Sequence, residues 1–133
     1  MLIRFFEKPG CVNNTKQKQM FLEKGYTLQV YDIFSTHWTD SMLLEFLGDK
    51  PVCEWFNYTA PRIKNGEINP HVLSRDEAIA EMIADNFLIK RPLIEANGEF
   101  CSGFDNPLVE KLLKGTDISG VLSCPHQASQ NSC

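Results

Sequence analysis

The sequence predicts an α/β domain built on a mixed sheet: a β-α-β opening, a helical insertion, an antiparallel hairpin and a closing helix. Three observations carry that prediction. The apolar run Leu2-Ile3-Arg4-Phe5-Phe6 enters a Pro9-Gly10 turn, and a polar, lysine-rich helical pattern follows at once. A second run, Thr27 to Asp32, alternates with the period of two that marks a strand. Late in the chain Asn97-Gly98, the dipeptide best suited to a two-residue hairpin turn, separates two short apolar runs.

Taken in order, Leu2 to Phe6 is apolar at most positions, as expected of a strand buried on both faces. Asn13 to Lys24 reads as the first helix, with Asn13, Asn14 or Thr15 as its cap, Met20 and Phe21 facing inward, and Gly25 as its stop. A strand, a helix and a second strand over this span make a right-handed crossover, so the two strands should run parallel. Thr39 caps a short helix closed by Gly48, with Leu43, Phe46 and Leu47 on its apolar face. Pro51 to Gly66 reads as irregular, held down by Trp55, Phe56 and Tyr58. Ser74 and Glu77 have the spacing of a capping box before a helix with Ile79, Met82 and Ile83. Residues 36–86 therefore form a helical insertion. The hairpin follows, its second strand spanning Glu99 to Gly103. Asn106 then caps a last helix with Pro107 at its first position, and Gly115 stops it. Periodicity fades from about Asp117, which predicts a domain over residues 1–116 and a loose tail over 117–133. This order of elements is the thioredoxin-like topology.

The chain has 133 residues, enough for one domain with a real core. Its net charge of −4 argues against non-specific nucleic-acid binding. No apolar run is long enough to cross a bilayer, and the first residues lack the regions of a secretory signal, so the cytoplasm is the expected location. Five cysteines stand at 11, 53, 101, 124 and 133, with no Cys-x-x-Cys pair. That spacing writes neither a zinc ribbon nor a dithiol redox motif, and no metal or bound cofactor is expected. Free or transiently bonded thiols fit a reducing compartment better than a structural framework does. Cys53 and Cys101 read as small buried residues, and a tail cysteine, Cys124 or Cys133, is a candidate to resolve an oxidised Cys11. Cys124-Pro125-His126, with His37 and His71 scattered elsewhere, is too thin a set for a metal site.

Cys11 is the candidate centre. A strand, a tight turn, a cysteine and a helix place a thiol where unpaired backbone N–H groups and the helix dipole favour an anion. The same position should hold Cys11 as a nucleophilic thiolate at neutral pH, with the amides of Val12, Asn13 and Asn14 as a cradle. A small buried residue at a strand end is the plainer reading. Arg91 is either a surface arginine before a strand or a donor to an anion.

Lys8-Pro9-Gly10-Cys11 after the first strand, with Leu88-Ile89-Lys90-Arg91-Pro92-Leu93-Ile94 before the hairpin, resembles the glutaredoxin-linked arsenate reductase and Spx-like superfamily. Val30-Tyr31-Asp32-Ile33-Phe34 and Ser102-Gly103-Phe104-Asp105-Asn106-Pro107 also fit, and the match covers about the first 115 residues. Within it the chain looks closest to the nitrogenase-associated proteins of nitrogen-fixing bacteria. The resemblance implies a thioredoxin-like fold with Cys11 as nucleophile, Arg91 as the anion-binding arginine and Pro92 as a cis proline. It implies glutathione or glutaredoxin as the external reductant. Two family arginines would align near Asn57 and at Ser102, where this chain has neither, and Arg62 is a candidate substitute for one of them. The second cysteine of the Spx-type switch would stand at Asn14, so that switch cannot operate in the same form.

The function expected on these grounds is a monothiol oxidoreductase. Cys11 attacks a small oxyanion or a disulfide, and an external thiol completes the cycle. The alternatives are a non-catalytic module that binds a protein partner, such as glutaredoxin or a nitrogenase-related protein, and an oxyanion carrier without turnover.

Overall fold

The computed structural model describes residues 1–122 of the chain. Strand β1 (Leu2–Glu7), helix α1 (Val12–Glu23) and strand β2 (Thr27–Asp32) open the fold. Helices α2 (Asp40–Leu47), α3 (Pro61–Lys64) and α4 (Arg75–Ala84) make the insertion. Strands β3 (Leu93–Ala96) and β4 (Glu99–Ser102) and helix α5 (Pro107–Leu112) follow. The sheet runs in the order β2-β1-β3-β4, with β1 parallel to β2 and antiparallel to β3, and β3 antiparallel to β4. This is the thioredoxin-like mixed sheet that the sequence predicts.

Alternation along β1 sends its side chains to two separate cores. Ile3 and Phe5 face α1 and α5, where they meet Phe21, Phe104 and Val109. Phe6 faces the insertion, where it meets Leu43, Phe46 and Trp38. Phe46 meets Phe6 edge-on at 5.3 Å, a geometry that aromatic quadrupoles favour. The expected caps are in place. Thr39 accepts from Met42 N–H, Asn106 accepts from Val109 N–H, and Ser74 and Glu77 close a complete capping box. Asn97 and Gly98 both take positive φ in the hairpin turn, as a type I′ turn requires.

Three expectations need correction. Residues 51–66 are not irregular throughout: Ala60-Pro61 starts the short helix α3, with proline at its first position where no N–H is needed. The first helix is capped neither by Asn13, Asn14 nor Thr15. Its cap is Cys11, and Asn13 and Asn14 are buried inside the first turn. The chain also stays folded past 117. Ser119–Val121 forms a 3-10 turn, Val121 is buried in the Phe21 core, and Gln17 Nε2 donates to its carbonyl at 2.6 Å. The apolar positions here, Ile118 and Val121, are too few to produce a periodic signal. Residues 123–133, with Cys124, Cys133 and the roles expected of them, lie outside the described residues.

Candidate thiol site

The turn before Cys11 is set by its two central residues. Cys11 N–H donates to Lys8 O at 3.1 Å, Pro9 occupies the second position, and Gly10 at the third has φ 84°. Proline fixes the first central φ and glycine supplies the positive one, which is the type II combination. A side chain buried in α1 then locks this turn to the helix. Asn14 Oδ1 accepts from Lys8 N–H at 3.1 Å, and Asn14 Nδ2 donates to Gln17 Oε1 at 3.0 Å. Asn14 is 2% exposed. Its side chain is therefore structural, and its amide belongs to the first turn of α1.

Cys11 itself is half-buried and carries a free thiol. Its backbone is extended, with φ −71° and ψ 122°, and its carbonyl accepts the first helical bond, from Thr15 N–H at 3.1 Å. The next residue, Val12, is 63% exposed, so one flank of the thiol faces solvent.

Sheet register brings Arg91 and Pro92 to the same end. Phe6 pairs with Leu93, which places Pro92 next to Glu7 and the turn beyond it. The Arg91-Pro92 peptide is cis, as the resemblance implies. One ring joins the two loops: Phe87 has Lys8 Nζ 5.4 Å from its centroid and the Arg91 guanidinium at 5.8 Å. Phe34, itself 41% exposed, lies beside it at 5.7 Å. Cations over an aromatic face are attracted by its quadrupole. Glu7, at the foot of the turn, is tied to Lys18 at 2.7 Å, which balances its charge locally.

The positions where arginines are absent have other occupants. Asn57 is fully buried, with Nδ2 donating to Phe87 O at 3.1 Å. Ser102 is also fully buried, and Lys50 Nζ reaches its carbonyl at 2.9 Å. Arg62 replaces neither: it faces the carboxylates of Glu67, Glu81 and Asp85. Cys101 is a free, buried thiol, and burial pushes its pKa up to about 12, so it stays protonated and unreactive. Cys53 is not the small buried residue expected. It is half-buried and disulfide-bonded. Among the described residues no cluster of metal-ligating side chains occurs, and no helix is long and apolar enough to cross a membrane.

An uncharacterized 15.7 kDa protein in the draG 3′ region of Rhodospirillum rubrum is 41% identical over 133 residues, covering 98% of this chain and 93% of that protein. The chain belongs to that protein's family. No family model matches the sequence. Among solved structures, a possible arsenate reductase from Streptococcus mutans is 25% identical, with TM-score 0.66 over 78% of this chain and 92% of that one. An ArsC-family-related protein from Bacteroides fragilis is 24% identical, with TM-score 0.73 over 84% and 99%. Arsenate reductase from Vibrio cholerae is 22% identical, with TM-score 0.69 over 86% and 97%. The structural neighbours of this chain are thus arsenate-reductase-like proteins of thioredoxin-like fold.

Sequence reasoning missed Lys8 and Phe87 as parts of the site. Lys8 was visible in the Lys-Pro-Gly-Cys turn. Phe87 lies far from Cys11 in the chain, and no spacing rule links the two.

Proposed function

We propose that this protein is a thiol-dependent reductase in which Cys11 is the nucleophile and an external thiol of the glutathione or glutaredoxin class regenerates it. The observation that carries the reading is a free, half-buried Cys11 at the cap of α1, with Lys8 of the same turn and Arg91 of the same sheet end gathered on one aromatic ring. For a disulfide substrate, the Cys11 thiolate attacks one sulfur and the other leaves as a thiolate. A second thiol then attacks the substrate-derived sulfur of the mixed disulfide, forms a new disulfide and releases Cys11. Arg91 and the amides of Val12, Asn13 and Asn14 stabilise the thiolate or a bound oxyanion, and Pro92 shapes the loop that presents Arg91. The structural neighbours that are called arsenate reductases support the reductase class. The occupants of positions 57 and 102 favour a disulfide over arsenate as substrate, because no guanidinium converges there.

The test is peptide mapping after incubation with glutathione disulfide, followed by turnover of a small disulfide with glutathione. One glutathionyl group on Cys11, and loss of turnover in Cys11→Ser, are expected. Arsenate-dependent thiol oxidation is run alongside to separate the two substrates. A Cys11 that takes no adduct, or turnover retained in Cys11→Ser, overturns the reading. It would leave the partner-binding role, with glutaredoxin or a nitrogenase-related protein as the partner to seek by pull-down.

A further inference from the structure

Two more cations converge at the sheet end that carries Cys11. Lys50, just beyond α2, reaches the last residue of β4: its Nζ donates to Ser102 O at 2.9 Å and to Ser102 Oγ at 3.3 Å. Lys90 runs along Gly103. A Cβ at that position would fall 2.8 Å from Lys90 Cε and 3.6 Å from its Nζ. Glycine, at φ +75°, is what leaves room for the lysine. The two ammonium groups therefore bracket the Ser102–Gly103 peptide.

Carboxylate fields reach these cations, but neither cation closes a direct ion pair among the described residues. The described residues hold six ion pairs, and neither Lys50 nor Lys90 is in one. Glu54, Asp49 and Asp105 are the carboxylates whose fields reach this cluster, and none closes to salt-bridge distance. Burial first, and then repulsion from Lys50, hold the pKa of Lys90 below its ordinary value. Ser102 Oγ accepts from Lys50, so its own hydrogen remains free to donate. Two ammonium groups that close no ion pair thus stand beside a buried hydroxyl.

We infer that Lys50, Lys90 and Ser102 form a second anion-binding subsite, built for a carboxylate or a phosphate-sized oxyanion. An anion between the ammonium groups converts their repulsion into two charge-assisted contacts. The subsite lies two strand spacings from β1, because Phe6 pairs with Leu93 and Leu93 with Ser102. Two spacings are about 10 Å. A substrate that reacts at Cys11 and fills this subsite carries an anionic group roughly that far from its reacting atom. Peptide thiols with free carboxylates have that form. The substrate class rests on the thiol-reductase reading, whereas the anion binding does not.

The test follows the Ser102 and Gly103 amides of the full chain by NMR at constant ionic strength. One titration uses inorganic phosphate and the other uses S-methylglutathione, which carries carboxylates but cannot react. Saturable shifts at both amides are expected. Affinity should fall about tenfold in Lys50→Ala and in Lys90→Met, the size expected for one lost charge-assisted contact. Lys50→Arg should retain binding, and it covers the case in which Lys50→Ala fails to fold. Shifts with phosphate alone identify a free oxyanion as the ligand, and shifts with S-methylglutathione alone identify a peptide carboxylate. No saturable shift with either probe, or unchanged affinity in both Lys50→Ala and Lys90→Met, overturns the subsite. Binding that persists while Cys11 takes no glutathionyl group would sink the reductase reading and leave the subsite standing.

Discussion

Replacing Asn57 with alanine separates a vacated anion site from a structural hub. Asn57 is fully buried and its side chain makes three hydrogen bonds. Nδ2 donates to Phe87 O at 3.1 Å, while Oδ1 accepts from Thr59 N–H at 3.1 Å and from Thr59 Oγ1 at 2.7 Å. Alanine removes all three. Thr59 is half-buried, so water can reach part of what it loses. The Phe87 carbonyl is part-buried and is left without that donor, which costs about 1–3 kcal/mol. The void left by the amide adds about 1 kcal/mol. The expected loss is therefore about 3 kcal/mol, or a drop in Tm of about 10–15 °C for a domain of this size. Urea titration with a matched thermal melt measures it. Phe87 holds Lys8 and Arg91, so glutathionylation of Cys11 should slow as well, even at temperatures where the variant is folded. Asn57→Arg should be worse than Asn57→Ala, because it forces a charge into a fully buried position. A loss under about 1 kcal/mol, or an Asn57→Arg variant as stable as the wild type, would refute the hub.

Phe87→Leu keeps apolar volume but removes the ring, so Cys11 adduct formation should slow several-fold while stability falls by less than about 1.5 kcal/mol in denaturant. Gly103→Ala should cost about 1–2 kcal/mol from positive φ alone and more from Lys90, and a double-mutant cycle should show that part of the cost vanishes in a Lys90→Ala background. Cys101 keeps its proton to about pH 12 when folded, whereas an ordinary thiol loses it near 9.0. Stability should therefore fall as pH rises from 9 towards 12, by at most about 1.4 kcal/mol per pH unit from this group, and Cys101→Ala should flatten that slope in pH-dependent urea melts. Lys90 has the opposite sign. Its lowered pKa penalises the charged form, so the penalty is full at neutral pH and is relieved as pH climbs through its folded value towards 10.5. Lys90→Met should stabilise the protein at pH 7, with a gain that shrinks towards pH 10.5.

Much of the fold could be read locally. Ser74 and Glu77, Asn97-Gly98 and Asn106-Pro107 act within a few residues of themselves, and each makes in space what its spacing predicts. Strand β2 has the predicted bounds for the same reason. The misses share the opposite cause. Asn13 and Asn14 look like caps, because short polar side chains usually take that role. Here the Pro9-Gly10 turn delivers the chain one turn earlier, and tertiary burial puts Asn14 to another use. Val121 is held by Gln17, 104 residues away, which no window could detect. The site divides along the same line. The Pro-Gly-Cys turn is local and visible, whereas the approach of Phe87, Lys50 and Lys90 depends on the pairing of β1, β3 and β4.

That pairing has a consequence for the order of events during synthesis. Cys11 leaves the ribosome among the first residues, but β1 waits for β3 as its second neighbour, and β3 is made more than eighty residues later. Until the chain has grown past Gly103, Phe87, Arg91 and both lysines of the second cluster are missing or unplaced. A nascent chain therefore lacks the surroundings proposed to serve Cys11 until the last strand docks.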